Sequence, residues 1–336
     1  EFCQKFTGQF KGVATGIGSL PHTDAQEALD LVFKYVPQIP FWPQLPKRDI
    51  REGMVAQFSE GLPFMSVNDN GLSFTALESR DRDRDLEIFY ERIIANDADY
   101  FRISPAYARG LHEFLRRLQK QDLSDVLLLK GHTTGPFTFS ASLTDDKGLP
   151  LLHDDILMQA NLRGLAMKAL WQIRELRQFG KKVLLYIDEP YLGCFGSAFA
   201  PINREKVVKG LREFTEALKS DDVLLGVHCC GNTDWSIFTE VEKLDIISFD
   251  AYDFMDRLVL YADNLKGFFA RQGLLCWGIV PTQLFTGLET SEILIRKIRE
   301  GVNALVAKGL DEQRILDNLL VSPSCGLGTF TPEKSE

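Results

Sequence analysis

Short runs of apolar and β-branched residues recur along this chain, and most are followed by a stretch with the three-and-four spacing of a helix. Continuous apolar runs are typical of strands that are buried on both faces, as in a parallel sheet. Helices are predicted over 154–179 and 203–219, the second with Asn203 as its N-cap. We predict eight strands, the second of them weak and proline-rich, at 13–18, 39–42, 126–130, 183–187, 223–227, 246–249, 274–280 and 319–321.

The alternation of these strands with helices predicts an α/β fold, a (β/α)8 TIM barrel that occupies residues 1–336 as a single domain. An elaborated loop region, an insertion at about 47–125, follows the second strand. Within it, the segment Asn68-Asp69-Asn70-Gly71 predicts the tight turn of a hairpin. The charged run over 79–87 predicts a solvated surface rather than a binding site.

The bulk composition excludes two classes of function. The net charge of −9 argues against a nucleic-acid-binding surface, because phosphate binding needs clustered Lys and Arg. No run of 18 apolar residues occurs, so we predict no membrane-spanning helix. The six cysteines need no disulfide framework in a chain with its own core, and we expect a cytoplasmic enzyme with reduced thiols. Four of them are expected to be ordinary small core residues: Cys3, Cys194, Cys229 and Cys276.

Reactive side chains follow most of the predicted strands at their carboxyl ends, where a TIM barrel carries its active site. They are Ser19 after the first strand, His132 after the third, Asp188 and Glu189 after the fourth, His228 and Cys230 after the fifth, Asp250 after the sixth and Cys325 after the eighth. Each alone has an ordinary structural explanation, but their convergence on one mouth predicts an active site.

A metal centre is the first chemistry that these residues suggest. Side chains two positions apart on an extended chain share a face, so His228 and Cys230 can point into the mouth together. Cys325 is distant in sequence, but its strand opens onto the same mouth, and Asp250 could add an oxygen ligand. Because histidine nitrogen and cysteine sulfur are preferred ligands of zinc, the sequence predicts a Zn²⁺ site.

The pair Asp188-Glu189 closes the fourth strand, with Pro190 ending it. Two adjacent acids at a barrel mouth could perform acid–base chemistry, bind an ammonium group or cap a helix. The sequence leaves these three roles open.

In motif order and spacing the chain resembles the C-terminal catalytic barrel of cobalamin-independent methionine synthase, within the uroporphyrinogen decarboxylase/methionine synthase-like superfamily. The resemblance runs from about residue 14 to 330. The motifs that carry it are Ile17-Gly18-Ser19-Leu20-Pro21, Gly131 with Gly135-Pro136, Ile187-Asp188-Glu189-Pro190, His228-x-Cys230, Leu244-Asp245-Ile246-Ile247-Ser248-Phe249-Asp250 and Ser324-Cys325-Gly326-Leu327.

The resemblance implies roles for individual residues. His228, Cys230 and Cys325 would be zinc ligands, and Asp250 stands where the family carries a glutamate ligand. The substrate-binding residues implied at the amino-acid end are Ser19 for the carboxylate and Asp188 for the ammonium, with Glu189 beside it.

The chain departs from the family at two points. Where the family has a glutamate that helps to bind the substrate ammonium, this chain has Arg48 as the implied substrate-binding residue. Its positive charge would repel an ammonium and favour an anion, unless Glu52 or another acid substitutes for the glutamate. The family's full-length enzymes also have an N-terminal barrel that helps to hold polyglutamated folate, and this sequence resembles the core-only forms. There a methylated corrinoid protein can replace methyl-tetrahydrofolate as the donor. The methylcobamide:thiol methyltransferases, which share the His-x-Cys and distant Cys, therefore remain an alternative.

The hypothesis from sequence is a methyltransferase in which zinc activates a small-molecule thiol, homocysteine first among the candidates. His132, at the mouth, could protonate the leaving group. A metal-free decarboxylase of the same superfamily is less well supported, because the first strand ends in Gly18-Ser19-Leu20 without an arginine to grip substrate carboxylates. A non-catalytic zinc barrel would be expected to show four strong ligands, whereas this chain offers three together with Asp250.

Overall fold

A curled parallel sheet forms the centre of the protein. The structure, a computed structural model, describes residues 9–68, 71–74, 79–145, 147–197 and 202–336. Among these residues the sheet has seven strands in the order β1-β9-β8-β7-β6-β5-β4, all parallel to their neighbours, and a hairpin of β2 and β3 lies apart from it. The strands are β1 (Val13–Ala14), β2 (Met65–Asn68), β3 (Gly71–Phe74), β4 (Leu128–Thr134), β5 (Lys182–Asp188), β6 (Val223–Cys229), β7 (Ile246–Phe249), β8 (Leu274–Val280) and β9 (Leu319–Pro323).

The predicted second strand is wrong. Residues 39–42 form no strand; Phe41 makes an isolated parallel bridge to Lys130 on β4, and Gln44 makes another to Ser19 on the other side. Prolines at 37, 40 and 43 interrupt this stretch and have no N–H to donate, so a regular ladder cannot form. The predicted α/β fold is confirmed, but the sheet forms a partial barrel rather than the full (β/α)8 barrel. The two edges of the sheet are linked by hydrogen bonds to this irregular segment.

Helices follow most strands and cover the outside of the sheet, as predicted. The predicted N-cap at Asn203 is confirmed, because its side chain accepts hydrogen bonds from the backbone N–H groups of Glu205 and Lys206. The helices are α1 (Ala25–Tyr35), α2 (Ser79–Ile94), α3 (Arg109–Leu118), α4 (Pro136–Ala141), α5 (Asp155–Arg177), α6 (Arg204–Leu218), α7 (Ser236–Thr239), α8 (Ala251–Leu258), α9 (Ala262–Ala270), α10 (Ser291–Ala307), α11 (Glu312–Asp317) and α12 (Pro332–Ser335).

The region predicted as an insertion contains the hairpin, α2 and α3. The antiparallel β2–β3 pairing confirms the predicted hairpin, although two residues of its turn, Asp69 and Asn70, lie outside the described residues. The charged run falls on α2, where the described side chains are mostly exposed and Arg82 pairs with Asp154 at 2.7 Å. That run is therefore a solvated surface, as expected.

Side chains along each strand alternate between two apolar clusters. One face packs on the helices, and the other fills the inside of the curl. The inner cluster consists of Phe10, Val13, Ile39, Leu128, Leu184, Tyr186, Leu224, Ile246, Leu274, Cys276 and Leu320. Of the cysteines predicted as core residues, Cys229 and Cys276 are fully buried, Cys194 is exposed and Cys3 lies outside the described residues. The inner positions that follow towards the carboxyl edge carry polar side chains, and these form the candidate site.

Candidate functional site

A cavity of about 590 Å³ opens at the carboxyl edge of the curled sheet. Strand ends and the loops after them supply its walls, which is where sequence placed the active site. Its lining residues are Ile17, Gly18, Ser19, Gln44, Pro46, Lys47, Met54, His132, Asp188, Pro190, His228, Cys230, Cys325, Gly326, Gly328 and Thr329. The structure thus brings six of the predicted site residues together, whereas Arg48, Glu189 and Asp250 are not among the lining residues.

A nitrogen and two sulfurs converge within this cavity. The ligand atoms of His228, Cys230 and Cys325 all lie within 4.8 Å of one another. The Nε2 atom of His228 is buried and has no hydrogen-bond partner among the described residues, while its Nδ1 lies 3.0 Å from the Ser248 hydroxyl. An orphaned imidazole nitrogen beside two thiols is a donor set that suits zinc. These three residues therefore fit the predicted metal.

The two thiols differ in their readiness to ionise. A hydrogen bond from Cys230, together with the nearby His228, lowers the pKa of Cys325 although burial opposes it. The same hydrogen bond and burial raise the pKa of Cys230. A cation that binds both sulfurs must displace the proton of any thiol that is still protonated.

Asp250 lies beside this cluster but not within it. Its carboxylate caps α8 by accepting a hydrogen bond of 2.9 Å from the backbone N–H of Asp253. Burial raises its pKa to about 6, and the charge of Cys325 adds to that rise. Its role as a metal ligand stays a prediction, because one oxygen already serves the helix.

Asp188 is the acidic group that faces the cavity. It ends β5, with Oδ1 buried and unpartnered among the described residues. Burial raises its pKa to about 6, against the lowering influence of His228 and Lys130. The carboxyl is therefore ionised at neutral pH, with one oxygen available to a cationic group.

Glu189 takes the helix-capping role that the sequence left open. It is fully buried, and its carboxylate accepts hydrogen bonds from the backbone N–H of Phe137 (3.0 Å) and from both the N–H (2.7 Å) and the hydroxyl (2.6 Å) of Thr138. These donors belong to the first turn of α4, where a carboxylate is favourable. Both oxygens are used in this way, so the role of Glu189 in binding substrate stays a prediction.

Ser19 is fixed against the loop that carries Cys325. Its hydroxyl accepts a hydrogen bond of 3.2 Å from the Gly328 N–H, and its carbonyl accepts one of 2.9 Å from the Leu327 N–H. A Cβ at Gly326 would lie 2.2 Å from the Ser19 Oγ, so only glycine permits this approach. Since the hydroxyl already accepts, its own proton is available to a ligand in the cavity.

The side chain of Arg48 is engaged in an ion pair. Its guanidinium forms an ion pair with the buried carboxylate of Glu52 one helical turn away. Burial raises the pKa of Glu52 to about 7, and Arg48 opposes that rise. The pair places the expected positive charge against Glu52 rather than on the cavity wall, where Lys47 is the basic residue.

His132 lies in the cavity wall with its ring stacked on Trp42 at a centroid distance of 3.8 Å. Both ring nitrogens are buried and have no hydrogen-bond partner among the described residues. Burial, aided by the charge of Lys130, lowers its pKa well below the usual range. The ring is therefore a neutral imidazole with free hydrogen-bonding capacity, not a ready source of a strongly acidic proton.

Two buried polar residues under the cavity were missed from sequence. Ser248 contacts His228, and Lys130 donates a hydrogen bond of 2.5 Å to the Ile17 carbonyl. Each precedes a predicted site residue by two positions, Asp250 and His132 respectively. The alternation of strand faces would have placed both on the inside of the sheet.

Comparison with known proteins gives a partial similarity. No protein-family model matches this chain. The chain is 24% identical over 210 residues to a methionine synthase of Methanocaldococcus jannaschii. The match covers 59% of this chain and 58% of that protein, so the chain spans less than two thirds of this relative. Within the described residues, no helix has the length and apolar character needed to cross a membrane.

Proposed function

We propose that this protein is a zinc-dependent methyltransferase that transfers a methyl group to the thiol of homocysteine to give methionine. One observation carries the proposal: His228, Cys230 and Cys325 converge within 4.8 Å in the cavity that also presents Asp188 and Ser19. The partial similarity to a methionine synthase supports the same class of reaction.

Different residues of the chain would bind the thiol, the ammonium and the carboxylate of an amino-acid substrate. Zinc held by His228, Cys230 and Cys325 would lower the pKa of the substrate thiol and so supply a nucleophilic thiolate. Asp188 binds the ammonium through its free oxygen, and the Ser19 hydroxyl donates to the carboxylate. Fixing both ends aims the sulfur at the donor's methyl carbon, and such positioning can contribute about 7–11 kcal/mol.

The methyl donor that we propose is a methylcorrinoid protein or methyl-tetrahydrofolate. The cavity of about 590 Å³ exceeds the space that an amino acid fills, which leaves room for the methyl-bearing group of a donor. His132 would contact the leaving group as a neutral hydrogen-bonding partner. The free cysteines of the described residues suit a reducing compartment, and we propose the cytoplasm.

A second candidate is a methylcobamide:thiol methyltransferase that acts on an acidic thiol. It is favoured by Lys47, the basic residue of the cavity lining, because a cation attracts an anionic acceptor. Turnover of 2-mercaptoethanesulfonate in preference to homocysteine would select this second reaction.

The first test is the zinc content of reduced protein purified without chelator, for the wild type and for Cys325→Ser. We expect about one zinc per wild-type chain, and an added sulfur ligand in X-ray absorption spectra when homocysteine is supplied. Cys325→Ser should lose zinc and methyl transfer while keeping the circular dichroism spectrum of the wild type. A wild-type protein without zinc would refute the methyltransferase and favour the metal-free decarboxylase.

A further inference from the structure

Beneath the zinc-binding residues lies a buried hydroxyl that the proposed reaction does not use. Ser248, on β7, is 1% exposed and stands in register with His228 on one side and Cys276 on the other. Its Oγ lies 3.0 Å from the Nδ1 of His228. The contact is therefore built into the pairing of three adjacent strands rather than made by a mobile loop.

The thiol of Cys276 also lies beside the Ser248 hydroxyl. Burial raises the pKa of the Cys276 thiol, while hydrogen bonds from Ser322, Tyr186 and Ser248 act against that rise. If the proton of Ser248 is directed at Cys276, the hydroxyl presents only lone pairs to His228. The imidazole must then carry its proton on Nδ1, and the Nε2 lone pair is left to face the two thiols.

We propose that Ser248 is a positioning residue for the metal centre: it accepts the Nδ1–H of His228 and so holds the ring in the tautomer and orientation that offer Nε2 to zinc. The proposal rests on the proposed function, since it concerns the same site. Partners of this kind are general in metalloproteins, and losing one typically weakens metal affinity by about 10–100-fold.

The tautomer and orientation of the His228 ring decide whether Nε2 can bind a metal. The ring is 3% exposed, and Ser248 is its hydrogen-bond partner at Nδ1. Without the hydroxyl, the buried Nδ1–H would lack an acceptor, which favours the other tautomer with its proton on Nε2. A ring protonated at Nε2 cannot bind a metal through that atom.

The test measures the affinity of purified, reduced protein for Zn²⁺ by competition with a chromophoric chelator. Ser248→Ala should bind Zn²⁺ about 10–100-fold more weakly than the wild type. Ser248→Thr keeps the hydroxyl and should restore the affinity to within a few-fold. Ser322→Ala is the matched control. It also removes a buried hydroxyl beside Cys276, but that hydroxyl is paired with the Pro323 carbonyl rather than with His228.

Two further readouts separate positioning from loss of fold. Thermal melting of the metal-free proteins should show Ser248→Ala and Ser322→Ala folded to a similar extent. Nitrogen-15 spectra of the zinc-loaded wild type should show His228 protonated at Nδ1. Equal Zn²⁺ affinity in wild type and Ser248→Ala, or a proton on Nε2, would overturn the proposal while leaving the zinc site standing. A wild type that binds no zinc would overturn the proposed function, and this inference with it.

Discussion

The glycine that follows Cys325 provides a sensitive test of the site's geometry. A Cβ added at Gly326 would lie 2.2 Å from the Ser19 Oγ but 3.4 Å from the Ser19 Cβ. The first distance is far inside van der Waals contact, and the second is near its normal limit. The backbone at Gly326 does not require the left-handed region, so the effect of Gly326→Ala is steric.

The size of the effect follows from these distances. Overpacking of this kind typically costs about 1–3 kcal/mol of the free energy of unfolding. Ser19→Ala alone loses the hydrogen bond from the Gly328 N–H, worth about 0.5–1.5 kcal/mol. In the Ser19→Ala background the clash is removed, so we expect Gly326→Ala to cost less than about 1 kcal/mol there. The two substitutions should therefore couple by at least about 1 kcal/mol.

The assay is urea unfolding of the wild type, both single variants and the double variant, all without metal. Zinc affinity of the same four proteins reports the position of Cys325 directly. Gly326→Ala should weaken zinc binding, and the double variant should recover part of it. If Gly326→Ala costs the same in both backgrounds, to within about 0.5 kcal/mol, then Ser19 does not pack on this loop as described.

Three further predictions use other parts of the structure. Gly110→Ala should destabilise by about 1–3 kcal/mol in urea unfolding, because its Cβ would lie 1.8 Å from the Pro43 carbonyl oxygen, whereas Gly267→Ala, with open space in α9, should stabilise by about 0.5–1 kcal/mol. His132→Leu should leave stability unchanged or raise it by about 1 kcal/mol, since no described hydrogen bond is lost, yet should reduce methyl transfer in a steady-state assay. The raised pKa of Glu52, about 7, makes the unfolding free energy fall as pH rises from about 4.5 to about 7; Glu52→Gln should flatten that part of a pH series of melts.

The apolar runs predict where most strands lie, but they do not predict where those strands end. The third predicted strand stopped at Lys130, whereas β4 continues through His132 to Thr134 with every residue buried. A strand that reaches the mouth of a site carries polar residues on its inner face, because the ligand rather than the core occupies the space there. Hydrophobicity therefore identifies the part of such a strand that faces the apolar core, and it does not identify the polar part that lines the site.

Strand alternation explains which of the predicted site residues lie together. His228 and Cys230 were paired from their two-residue spacing, and the structure places both beside Cys325. The same rule, applied to Asp188 and Glu189, would have put them on opposite faces, one towards the cavity and one towards the helices. The structure shows that separation. The Arg48–Glu52 pair lies on an irregular segment with no such periodicity, so its partner could not be predicted.

The inner face of the sheet shows why these residues act together. On β5 the inward positions run from Leu184 through Tyr186 to Asp188, from apolar to amphipathic to charged. The free energy needed to ionise a group is larger at the deeper positions. Asp188 lies at the carboxyl edge of the sheet, where a bound ligand can offset that free energy. Lys130 is the exception, a fully buried ammonium one step below the mouth, whose pKa burial lowers to about 8. Its Nζ donates a hydrogen bond to the Ile17 carbonyl, and the charge of Asp188 opposes the lowering of its pKa. The cation, the acid and the Ile17 loop at the cavity therefore interact electrostatically.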